Sequence, residues 1–193
     1  MQAFLPVWKA EPVATARKFG ERKQTMNNPA VQQWIDNAMR SGAVCNDYMR
    51  KWGAAKTKAE MFRVICDVNG GEWLFDIDNK GVQLPIESFI EEFYNFINGK
   101  QYVEYPKGYT SKFYCRYVGV KDIVADTTLV YLLDCRDVCV RVPSYSFPKI
   151  FLSKTCKDVH ITVEKDARVN LIVYGNAQYR LEGGTSKVKI ENR

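Results

Sequence analysis

Residues 158–193 carry apolar side chains at every second position for a few residues at a time, then stop and start again. Val159, Ile161 and Val163 alternate, followed by Ala167, Val169, Leu171 and Val173, then Ala177, Tyr179 and Leu181, then Val188 and Ile190. Glu164 to Asp166, Tyr174 to Asn176 and Glu182 to Ser186 separate the runs, so short strands recur at a step of eight to ten residues. Successive side chains on a strand point to opposite faces, and each run therefore buries one face. Strands this short and evenly spaced either stack as the rungs of a small β-solenoid or fold back as an antiparallel meander. Gly175-Asn176 and Gly183-Gly184 suit hairpin turns, but a solenoid also turns on Gly and Asn. We read the segment as a solenoid.

Upstream the grammar is helical. Asn28 before Pro29 suits an N-cap followed by proline at the first helical position, and Val31, Trp34, Ile35, Ala38 and Met39 form one apolar stripe. A second short helix is predicted from Asn46 to Trp52. Thr57 and Glu60 have the spacing of a capping box ahead of Met61, Phe62, Ile65 and Cys66. Trp73 to Asp78 reads as a strand or a helical turn, and an amphipathic helix is predicted over 85–98, carrying Ile86, Phe89, Ile90, Phe93, Tyr94 and Ile97. After Gly99 the β-formers Tyr102, Phe113, Tyr114, Tyr117, Val118 and Val120 take over. The expected fold is α+β: a basic N-terminal arm over 1–27, a helical domain of about four helices over 28–99, and a β domain over 100–193.

At 193 residues, with 46% hydrophobic and 13% aromatic content, the chain can build a substantial core, and no stretch nears the ~20 apolar residues of a membrane-spanning helix. With no apolar signal segment evident near Met1, a cytosolic location is expected. The net charge of +6 is unevenly spread: residues 1–58 carry +6, 59–99 carry −6 and 100–193 carry +6. Such sections can dock on each other, or the basic ends can meet an acidic partner.

Six dispersed cysteines read as reduced, partly buried thiols. The single histidine, His160, must serve any imidazole mechanism, which narrows nucleophilic catalysis to one candidate base. Cys135, Cys139, Cys156 and His160 offer four possible ligands for a tetrahedral zinc, yet residues four apart on a strand lie roughly 13 Å apart, so convergence needs a sharp turn. Asp76, Asp78, Gly81 and Glu87 fall at EF-hand spacing, but Lys80 occupies a coordinating position. No phosphate-binding glycine loop is present. No catalytic residue, metal site or cofactor is expected.

Binding is the better expectation. Arg17, Lys18, Arg22 and Lys23 cluster in the arm, where they suit nucleic acid or an acidic partner. Tyr105, Tyr109 and Tyr114 belong to a dense tyrosine run suited to protein contact. The last strand, Lys187 to Glu191, is a candidate edge able to add to a partner's sheet or to a second copy, with Lys187, Lys189 and Arg193 as possible guards.

The helical first half joined to a short-rung β end, with runs such as Ala-Arg-Val-Asn-Leu-Ile-Val-Tyr-Gly-Asn at 167–176, resembles uncharacterised proteins carried by bacteriophages and mobile elements of gut bacteria. The resemblance covers mainly residues 128–193 and carries no catalytic motif. It implies a phage-borne protein acting in the cytoplasm of a bacterial host, in the virion or against a host factor. The expected function is a non-enzymatic protein-binding protein, such as a host-directed inhibitor. A structural or assembly role, with homo-oligomers, or nucleic-acid binding through the basic arm are the alternatives.

Overall fold

A computed structural model describes residues 26–42, 44–67, 70–100, 103–104, 110–119, 122–184 and 187–193. Among the described residues five helices precede the β half: α1 Pro29–Arg40, α2 Asn46–Ala54, α3 Lys58–Ile65, α4 Gly70–Asn79 and α5 Ile86–Glu92. Local chemistry starts several of them as predicted. The Asn28 side chain accepts from the Ala30 amide ahead of Pro29, and Thr57 and Glu60 form the reciprocal capping box. Trp73 to Asp78 is helical, within α4. The helix predicted over 85–98 stops at Glu92, although Phe93 and Ile97 remain buried in the turns that follow.

The β half is a solenoid of about four turns, in agreement with the α+β expectation. After the short β1 Val103–Glu104, the strands β2 Thr110–Cys115, β4 Leu129–Leu133, β6 Lys149–Leu152, β8 Val169–Val173 and β10 Val188–Asn192 stack in parallel as sheet A. The strands β3 Asp122–Val124, β5 Arg136–Val142, β7 Lys157–Val163 and β9 Tyr179–Gly183 stack in parallel as sheet B. β1 closes the first edge of sheet A by pairing antiparallel with β2.

Register turns the sequence alternation into columns. Val130, Ile150 and Leu171 align inside sheet A, facing the aligned Val140 and Ile161 of sheet B across a dry interior. The first position of that inward column is Lys112, 7% exposed, whose ammonium reaches the Val124 carbonyl at 3.2 Å and Asp126 at 2.8 Å.

The two sheets differ in their outer faces. Sheet B is polar and solvated outside, as the alternating burial of β5 and β7 shows. Sheet A is covered by the helices, so β4 is buried at every position. Its outward column Phe113, Tyr131, Phe151 and Ile172 meets Phe62, Phe75 and Phe89 from the helices in one aromatic core. Tyr131 lies at its centre, stacked 4.7 Å from Phe151, and its hydroxyl donates to the carbonyls of Cys66 and Asp67.

The charge segregation is in part internal. Glu72 pairs with Lys149 and with Arg193, Asp78 with Lys154 at 2.7 Å, and Glu87 with Arg116 at 2.9 Å. The acidic 59–99 section thus docks on the basic β half, as opposite charges on adjoining surfaces favour.

Candidate functional site

The structure separates the four proposed zinc ligands. Cys135 and Cys156 are buried inside the solenoid, where the Cys135 thiol donates to the Tyr114 carbonyl and the Cys156 thiol to that of Leu132. Desolvation pushes the Cys135 thiol well above its ordinary value. Cys139 and His160 stand side by side on the opposite, outer face of sheet B. Side chains on opposite faces of a strand cannot share one ion. Among the described residues no group of three or more His, Cys, Asp or Glu side chains is placed to hold a metal. The EF-hand spacing also dissolves, because Asp76 and Asp78 lie on α4 and Asp78 is taken by Lys154.

The outer face of sheet B bears one shallow depression of about 290 Å³, lined by Asp137, Cys139, Asp158, His160 and Arg180. His160 approaches Glu182 at 3.1 Å. Cys139 is half-buried in the rung beside it, and no hydrogen bond joins the two.

Of the predicted contact residues, Tyr105, Tyr109, Arg17, Lys18, Arg22 and Lys23 lie outside the described residues. Tyr114 corrects an expectation. It is 7% exposed and packs in the solenoid interior above Leu132, with its ring 5.3 Å from Tyr117. Its neighbour Phe113 faces the helices, so adjacent aromatics are both buried, each by a different layer. A dense aromatic run looks the same in sequence whether one face or both are covered.

Exposed aromatics among the described residues lie elsewhere: Tyr94, just after α5, and two at one corner of the solenoid. Tyr145 and Phe147, 76% and 63% exposed, project from residues 143–148, the corner between β5 and β6. That corner is held tightly. The Ser144 amide donates to the Glu164 carboxylate at 2.8 Å, the Ser146 amide to the Pro143 carbonyl, and the Arg168 amide to the Ser146 carbonyl. The Ser144 amide and the Arg141 guanidinium keep the Glu164 carboxyl below the usual carboxylate range, and the Arg141 pair measures 3.2 Å. Tyr145 itself is held at φ 63°, a left-handed conformation that costs a bulky residue about 1–2 kcal/mol. Two large apolar side chains are thereby displayed on a backbone fixed at both sides.

Beside Phe147 runs a groove of about 310 Å³, lined also by Pro148, Arg168, Asn170, Lys187 and Lys189. The Asn170 Oδ1 is buried there without a hydrogen-bond partner. Lys165, next to the groove through its carbonyl contact with Lys187, is exposed. The corner is thus an aromatic pair with a basic rim. The signal available in sequence was Pro143-Ser-Tyr-Ser-Phe-Pro148, in which prolines and serines mark a loop and the aromatics have no strand to be buried in.

Among the described residues no helix is long and apolar enough to cross a membrane. Compared with protein-family models, with curated proteins and with solved structures, the chain matches none of them.

Proposed function

We propose that the protein is a non-enzymatic binding protein that seats an acidic partner protein on the 143–148 corner. The observation that carries this reading is the display of Tyr145 and Phe147 on a pinned backbone, with Tyr145 in a left-handed conformation. Strain of that kind persists where surrounding structure enforces it and is concentrated at functional positions. Rigid exposed aromatics contribute binding energy at low entropic cost. Arg168 and Lys189 along the groove give the rim its preference for negative charge.

A protein is favoured over nucleic acid because few cations on the rim are uncommitted. Lys149 is engaged by Glu72, and Lys187 lies 3.7 Å from Asp166. Tracking a phosphate backbone needs a longer run of available cations. The basic arm, with Arg17, Lys18, Arg22 and Lys23, adds long-range attraction to the same acidic partner. On the resemblance to phage-borne proteins, that partner is a factor of the bacterial host and the outcome is its inhibition.

The test is affinity capture from bacterial lysate, with and without nuclease, using the full chain and a Tyr145→Ala/Phe147→Ala variant in parallel. A stoichiometric protein that survives nuclease and is lost at least about tenfold from the variant is expected. Capture that vanishes with nuclease, or that the variant retains in full, overturns the reading.

A further inference from the structure

Asn170 stands in the middle of the groove beside Phe147, with Lys149 and Lys189 as its partners on the two neighbouring rungs. Arg168 lies two residues before it and lines the same groove, as does Lys187. Cations thus surround one neutral amide, but they are not equally free. Lys149 is held by Glu72, and Lys187 by the Lys165 carbonyl and by Asp166. Among the described residues neither Arg168 nor Lys189 has an ion pair, and Glu191, two residues from Lys189, is held by Arg193 at 2.7 Å. Two cations are therefore available to an incoming anion.

Asn170 sets a second requirement. Its Oδ1 is a buried acceptor without a partner, and leaving such an atom unmatched is costly. Neutralising Arg168 and Lys189 takes an anion, whereas this oxygen takes a hydrogen-bond donor. An ionised carboxylate or a phosphodiester brings acceptors alone. An aspartate or glutamate within a peptide brings both groups, because its backbone N–H lies a few bonds from its carboxylate. We infer that the groove takes an acidic peptide segment, one carboxylate lying between Arg168 and Lys189 while a backbone N–H of the same segment donates to the Asn170 Oδ1. This rests on the reading of the corner as a protein-binding surface and names the element of the partner that enters beside it. A phosphate backbone would meet the cations and leave the Asn170 oxygen unmatched.

Fluorescence anisotropy of the full chain with labelled hexaglutamate tests this, with competition by cyclic trimetaphosphate as an anion that carries no donor. The basic arm is present in every variant, so its attraction is common to all. Arg168→Ala/Lys189→Ala is expected to weaken both probes about fivefold or more. Asn170→Leu is expected to weaken hexaglutamate about three- to tenfold and to leave trimetaphosphate within about twofold, with far-UV circular dichroism unchanged. If Asn170→Leu does not fold, hexaglutamate N-methylated along its backbone removes the same donor from the other side, and its binding to the wild type is expected to fall by the same factor. No binding of hexaglutamate, binding indifferent to Arg168→Ala/Lys189→Ala, or an Asn170→Leu effect equal for the two probes overturns the inference. So does a thymidine hexanucleotide that displaces hexaglutamate at a lower concentration than unlabelled hexaglutamate does. The Tyr145→Ala/Phe147→Ala variant separates the two readings. Lysate capture lost from that variant, with hexaglutamate indifferent to the groove substitutions, keeps the corner and overturns the groove. Capture retained by it, with hexaglutamate dependent on Arg168, Lys189 and Asn170, overturns the corner and supports the groove.

Discussion

Phe75→Ala is the sharpest probe of how the two halves are joined. Phe75 is 2% exposed on α4 and lies over three residues of the solenoid, with ring centroids 6.3 Å from Phe151, 5.1 Å from Tyr174 and 6.5 Å from Tyr131. Truncation removes the buried ring and leaves a cavity lined by rigid aromatics that cannot collapse, at a cost of about 3–5 kcal/mol. For a chain of this length that is a fall of about 6–20 °C in Tm. All four tryptophans, Trp8, Trp34, Trp52 and Trp73, precede the β half, so fluorescence reports the helical side while far-UV dichroism near 218 nm is weighted to the solenoid. If helices and sheet A share one core, urea unfolding followed by both probes gives coincident transitions in the wild type, and both move together in the variant. A fluorescence transition that shifts alone, with the dichroic one fixed, would refute the shared-core reasoning. So would a loss below about 1 kcal/mol.

Two further outcomes follow from local geometry. Gly81 and Gly183 have similar positive φ values of 87° and 83°, but a Cβ at Gly81 meets open space whereas one at Gly183 would sit 2.3 Å from the Val163 carbonyl oxygen. Gly81→Ala is expected to cost about 1–2 kcal/mol and Gly183→Ala at least about 3 kcal/mol, because the latter also forces strand β7 to move; equal melting shifts would contradict this. At the capping box, the amides of Lys56 and Thr57 hold the Glu60 carboxyl below its ordinary value. Because the folded-state pKa is depressed, its contribution is complete above the unfolded-state value and is lost as pH falls through the folded one. An NMR titration should show the Lys56 and Thr57 amide shifts moving with a midpoint below 4.5, and a midpoint at or above that value would count against the bond.

What could be read in the sequence was what local chemistry decides. Asn28-Pro29 and Thr57/Glu60 mark helix starts because the capping groups lie within a few residues of the amides they satisfy. The runs at Val159 and Tyr179 mark strands because sheet B leaves one face wet and the alternation survives. Where two layers cover a strand, as at Leu129–Leu133, alternation disappears and so does the cue to which side chain faces which layer. The helix predicted over 85–98 is shorter in the fold because Phe93 and Ile97 keep helical spacing after the helix has ended at Glu92. Asn98 and Gly99, at φ 58° and 63°, turn the chain away. No local signal separates parallel stacking from hairpins, since glycine and asparagine turn both. The contact surface was less legible still. Exposure of Tyr145 and burial of Tyr114 depend on which neighbours arrive from distant sequence, and no window around either residue contains them.

Lys112 gives the solenoid a direction. Its ammonium ends the inward column at the first rung, held by Asp126 and the Val124 carbonyl, while Ile190 leaves the last rung apolar and open. A rung placed above Lys112 would have to bury that charge on both sides, at a penalty of several kcal/mol. On its inner face a rung added between β4 and β8 would meet matching aliphatic neighbours, but its outer face would have to match the aromatic layer under the helices. Growth of such a protein by whole turns is therefore easier at its far end than in the middle of the stack, where the helices fix the spacing, or at its beginning.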